Sequence, residues 1–140
     1  MNRKALLLLA MLPGAACSTS TDPQPRADAL LAGGEVELTL SVGEEVQVPG
    51  TVLRVGFTRI EEDSRCPIDV ICVWQGNAAV ELAFTLGTGP TVPHVVNTTL
   101  EPHAATTGGY TVTLLEVQPA PTSQGPIDEE RYRVKVRVEA

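Results

Sequence analysis

Residues Glu130 to Glu139 read ERYRVKVRVE, and their alternation sets the fold class. Tyr132, Val134, Val136 and Val138 alternate with Arg131, Arg133, Lys135 and Arg137. Successive side chains of a strand point to opposite faces, so period two puts the apolar set on one face and the charges on the other. The pattern recurs upstream. Val36, Leu38, Leu40 and Val42 alternate with polar residues in GEVELTLSV, as do Leu53, Val55 and Phe57 in TVLRVGFTRI. Ala78, Val80, Leu82, Phe84 and Leu86 do the same in NAAVELAFTL. Turn signals separate these runs at Gly43, Pro49-Gly50, Gln75-Gly76-Asn77, Gly87 to Pro90 and Gly108-Gly109. About eight strands are expected, at 35–42, 45–48, 51–61, 70–74, 77–86, 92–100, 109–118 and 129–138. No helical stripe follows residue 34. An all-β antiparallel sandwich of Ig-like or Greek-key type is expected, with a mobile loop from Pro119 to Asp128.

The N-terminus carries a different signal. Arg3 and Lys4 precede an apolar run from Ala5 to Leu12, then small residues from Gly14 to Ala16. This is the pattern of a bacterial export signal over residues 1–16. The run is far shorter than the ~20 residues a spanning helix needs. Gly14-Ala15-Ala16-Cys17 resembles a lipobox, in which the cysteine is lipidated and becomes the first residue; Gly14 stands where the motif prefers leucine. Ordinary cleavage after Ala16 would release a secreted protein instead. Residues 17–34, rich in Ser, Thr, Pro and Gly, read as a lipidated Cys17 and a flexible tether. Residues 35–140 make one domain of ordinary size. Lipid at Cys17 implies an envelope protein held at the membrane, at the outer-membrane or periplasmic face or at the cell surface.

Charge excludes one class of partner. Removing Arg3 and Lys4 with the signal takes the formal charge from −7 to −9. So acidic a chain is a poor binder of nucleic acid. Arg131, Arg133, Lys135 and Arg137 are the exception, four like charges on one face. They call for an anionic neighbour. Either Glu35 and Glu37 of the first strand lie alongside, or the face docks an anionic envelope lipid or glycan.

If Cys17 carries lipid, Cys66 and Cys72 remain as a pair in an oxidising compartment. Extended, they would stand roughly 20 Å apart, whereas a disulfide needs Cα atoms within about 7 Å. The chain between them must therefore turn, and Pro67 and Asp69 favour that. Trp74 follows Cys72 by two residues, so in a strand its indole would lie beside the disulfide. Two readings are open. One is a disulfide–tryptophan plug at an end of the sandwich. The other is a recognition rim of Asp63, Arg65, Asp69 and Trp74 on a braced loop.

DSRCP at Asp63 to Pro67, followed by Cys72, Trp74, Gly76 and Ala78 in CVWQGNA, resembles the DSRCP…CxWxGxA pattern of a family of bacterial secreted proteins and lipoproteins of uncharacterised activity. The resemblance covers about residues 53–84. It implies envelope location and a β domain, and it brings no catalytic role.

Other chemistry has little support. His94 and His103 are nine residues apart without the close ligand pairs of zinc sites. Glu61-Glu62-Asp63 lacks a calcium-loop pattern around it. There is no G-x-S-x-G, and no histidine lies near Ser64 in sequence. No cofactor, metal site or catalytic residue is expected. The expected function is a tethered, non-enzymatic envelope domain with a binding or structural role, its partner another envelope protein or an anionic glycan or lipid. The alternatives are a secreted peptidase inhibitor using loop 63–72, favoured if that loop is exposed, and a small hydrolase.

Overall fold

The computed structural model describes residues 34–140. The expected signal segment, the lipidation site Cys17 and the tether up to residue 33 lie outside the described residues. The chain forms β1 (Glu35–Ser41), β2 (Glu45–Gln47), β3 (Leu53–Asp63), β4 (Ala78–Leu86), β5 (Thr91–Asn97), β6 (Ala104–Thr107), β7 (Tyr110–Gln118) and β8 (Arg133–Glu139). Two four-stranded sheets result, ordered β1-β8-β7-β6 and β2-β3-β4-β5. Every ladder is antiparallel. The fold is thus the all-β sandwich expected from the alternation. No helix among the described residues is long and apolar enough to cross a membrane.

The apolar faces read from the sequence are the core. Leu40, Val134 and Val136 of one sheet and Val55, Leu82 and Phe84 of the other are at most 1% exposed. The connection differs from the Greek-key expectation. Strands follow one another in chain order across each sheet, and β1 closes onto β8. Most successive strands are joined by short turns, and the two long connections, 64–77 and 119–132, also return to the adjacent strand of the same sheet, so the order is up-and-down.

Two strand expectations also change. Residues 70–74 are irregular, and β6 at Ala104–Thr107 is an added strand. The first lost its ladder because the segment is drawn into the disulfide turn. The second, AATT, carries no apolar alternation. It is specified by its hairpin, in which Gly108 and Gly109 both take positive φ, 53° and 85°. That is the two-residue turn whose twist matches paired strands. The C-terminal strand begins later than expected, after a 3-10 turn at Glu129–Arg131.

β3 carries two irregularities whose effects on its end offset each other. Its register against β4 shifts between Phe57 and Arg59 and again between Ile60 and Glu62. Each extra residue would flip the strand's faces, and the two flips cancel. Asp63 therefore ends the strand opposite buried Ala78, turned inward.

Candidate functional site: a braced apolar loop at one end of the sandwich

The stretch after β3 is fastened to the sandwich at several points. Asp63 and Arg65 form a bidentate ion pair, with Arg65 Nε 2.8 Å and Nη2 2.7 Å from the carboxylate. Arg65 also donates Nη1 to the Val117 carbonyl at 2.6 Å and Nη2 to that of Pro119 at 3.0 Å. Tyr132 donates its hydroxyl to Asp63 at 2.8 Å. Burial pushes the Asp63 carboxyl up, but the Arg65 and Tyr132 hydrogen bonds outweigh that and hold its pKa below the usual carboxylate value. Burial, reinforced by the Asp63 charge, pushes the Tyr132 phenol up to about 12.

The next residues lock the returning chain. The Ser64 N–H donates to the Asn77 carbonyl at 2.7 Å, and the Asn77 N–H to Ser64 Oγ at 3.2 Å. Gly76 passes so close that a Cβ there would collide with the Ser64 carbonyl oxygen. Its φ of +75° suits glycine alone at low cost. Asn77 is buried and accepts from the N–H groups of Thr99 and Leu100 at 3.0 and 3.3 Å. Its amide donates to Asn97 Oδ1 at 2.9 Å.

Between these fasteners the loop closes on itself. Cys66 and Cys72 form the disulfide, with Cα atoms 5.9 Å apart. The Val70 N–H donates to the Pro67 carbonyl at 3.3 Å, making the turn that Pro67 and Asp69 suggested. The segment expected to be mobile is bonded to this loop. The Ile68 N–H donates to the Pro121 carbonyl at 3.0 Å, and the Ser123 N–H and hydroxyl both donate to Asp69. Those Ser123 bonds hold the Asp69 carboxyl below its ordinary pKa.

The four residues of the expected rim therefore separate. Asp63 and Arg65 face inward as fasteners, and Asp69 ties two loops together. Trp74 does face solvent, at 82% exposure, which corrects the plug reading. It packs against no core, because residues 70–74 are not a strand and the i, i+2 rule does not apply to them. It has apolar company. Ile71 is 103% and Val73 93% exposed, and Ile68 and Val70 are exposed too. Beside this tip, Trp74, Leu100, Thr99, Gly76 and Glu62 line a groove of about 340 Å³. Sequence reasoning missed Asn77, Asn97, Ser123 and the inward hydroxyl of Tyr132. Asn77, inside a turn signal, and the ring of Tyr132, on an apolar face, left a trace.

The basic strand is accounted for within its own sheet. β1 lies beside β8, with Glu37 opposite Arg137. Lys135 is 2.7 Å from Glu37, and Arg137 is 3.4 Å from Glu35 and 3.2 Å from Glu37. Hydrogen bonds from Lys135 and Arg137 hold the Glu37 carboxyl low. Arg133 bonds the carbonyls of Glu130 and Tyr132. Arg131 sits in the 3-10 turn rather than on the strand. The histidines lie on separate elements. His94 stacks on Phe84 with ring centroids 4.6 Å apart, and His103 Nδ1 is 3.0 Å from the Asn97 carbonyl oxygen. Comparison with protein-family models, with curated proteins and with solved structures finds no match to the chain.

Proposed function

We propose that the domain is a non-enzymatic binding module of the bacterial envelope, tethered through a lipidated Cys17, which presents loop 66–74 to a partner. One observation carries this reading. Five large apolar side chains, Ile68, Val70, Ile71, Val73 and Trp74, are exposed on a loop that is closed by a disulfide and fastened on both flanks. Leaving such groups in water forgoes about 1.5–3 kcal/mol each relative to burial. The fasteners keep the loop from folding down to bury them. A loop ordered in advance loses little conformational freedom on binding. The resemblance to bacterial secreted proteins and lipoproteins supports the export part of the reading.

Hydroxyl-radical footprinting tests the module. The ratio of Trp74 to Tyr110 oxidation is compared between intact cells and the purified full chain. Tyr110 lies at the start of β7, away from the loop. Engagement of the loop is expected to lower the ratio at least fivefold in cells, and an unchanged ratio counts against the module.

The same stiff, exposed loop supports a peptidase-inhibitor reading as well. Saturable inhibition of an endopeptidase by the wild type, lost in Ile71→Ser, is the expected sign. The hydrolase alternative draws on none of these features.

A further inference from the structure

We infer that the partner of the apolar tip is a protein with an apolar cleft edged by lysine or arginine side chains. This rests on the binding-module reading and names its occupant. Three observations converge on it.

The first is where the chain enters. Gly34 leads into Glu35, which pairs with Glu139 at the far end of β8. The loop is fastened to Val117, Pro119 and Tyr132, beside the start of β8. Roughly 20 Å of strand separates the two ends. The loop thus stands at the end of the domain opposite to the one where the chain enters.

The second is charge. Asp69 stands in the loop, Glu62 on the groove wall, and Glu101 beside Leu100 with its side chain 83% exposed. Arg65, the cation of the stretch, is consumed by Asp63 and two carbonyls. Three carboxylates thus stand in or beside the tip, on a chain of net charge −7. Anionic lipid repels these charges, and the same face of a second copy repels them too. A cationic rim attracts them and speeds encounter.

The third is shape. Ile71 and Val73 form a convex knob, and the groove between Trp74 and Leu100 is a hollow beside it. A knob with an adjoining hollow matches a structured protein surface, whereas a bilayer has no ridge to enter the hollow.

A photocrosslinker tests the inference in the full chain in intact cells. Benzoylphenylalanine replaces Ile71 in one strain and Thr111, near the tethered end, in another. The expected result is one discrete protein adduct from position 71 and none from position 111. The double variant Glu62→Lys/Glu101→Lys, at exposed positions, is expected to reduce that adduct about tenfold, with an unchanged melting curve showing that it folds. An adduct with lipid, an adduct of twice the chain's own mass, an adduct indifferent to the charge reversal, or no adduct at all each overturns it. If Trp74 is protected in cells but the adduct is lipid or self, the module stands and only its assigned occupant is lost.

Discussion

Replacing Arg65 with methionine keeps the aliphatic stem and deletes the guanidinium. Its side chain is 15% exposed and that of Asp63 11%, so little solvent stands ready to take over. The deletion removes both bonds to Asp63 and leaves the Val117 and Pro119 carbonyls without their donor. Asp63 keeps only the Tyr132 hydroxyl as a side-chain donor. Breaking a buried ion pair from one side costs about 3–5 kcal/mol, because the remaining charge stays buried. Partial access at this end of the sandwich favours the lower figure, about 3 kcal/mol. For a domain near 100 residues that lowers Tm by about 12 °C or more. The assay is urea unfolding followed by far-ultraviolet circular dichroism. Trp74 is already exposed in the folded state, so its emission is a poor reporter of unfolding. Asp63→Asn and the double variant complete a cycle, with a coupling of about 1–2 kcal/mol expected between the two residues. A loss below about 1 kcal/mol in Arg65→Met would sink the fastener assignment, since the guanidinium would then have to be solvated rather than buried.

Gly76→Ala is expected to cost at least about 2 kcal/mol, because both the backbone conformation and the Ser64 carbonyl oppose the new methyl; Gly43→Ala, with the same sign of φ and open space, should cost only about 1 kcal/mol. The pair Cys66→Ser/Cys72→Ser should lose about 2.4 kcal/mol by chain entropy for so short a loop, and mass analysis without reductant should find no free thiol at these positions in the wild type. Stability should fall as pH rises from 10 towards the folded Tyr132 value of about 12, since the unfolded phenol ionises first; Tyr132→Phe should flatten that limb. Asp63 has the opposite sign: its depressed pKa gives stability that is present above about pH 4 and lost as pH falls through the folded value, and Asp63→Asn should remove that acid limb. Metabolic labelling with a fatty acid should tag the wild type and not Cys17→Ser, and equal labelling of both would remove the lipid anchor.

The sandwich was legible because its main strands have one wet and one dry face. Val134, Val136 and Val138 read as buried from alternation alone, and they are. The pairing of Glu37 with Lys135 and Arg137 was also legible, because four like charges in a row require an anionic neighbour and the first strand offered one. Topology was not. Alternation says which face of a strand is dry but not which strand lies next to it. β6 escaped for a related reason: AATT has no dry face to announce, and only its glycine turn marks the hairpin.

The loop shows where the reading of a sequence by period fails. Cys72 and Trp74 share a face only if the chain between them is extended, and the closing of Cys66 onto Cys72 removes that condition. The two bulges of β3 are equally silent in the sequence; because their flips cancel, Asp63 keeps the inward face of Leu53, Val55 and Phe57 and brings Arg65 in with it. Once those two residues are fasteners, the apolar residues after them have nowhere to go. Ile71 and Val73 cannot reach the core past the Ser64–Asn77 clasp, and Trp74 cannot cross the backbone where Gly76 meets Ser64. Their exposure is therefore imposed by the fastening. A loop that merely capped the sandwich would need the same bonds but not these side chains, and serine or asparagine at 71, 73 and 74 would satisfy it at no loss of packing. The apolar identity of the tip is thus not explained by the stability of this domain, and this is the ground on which the proposed partner rests.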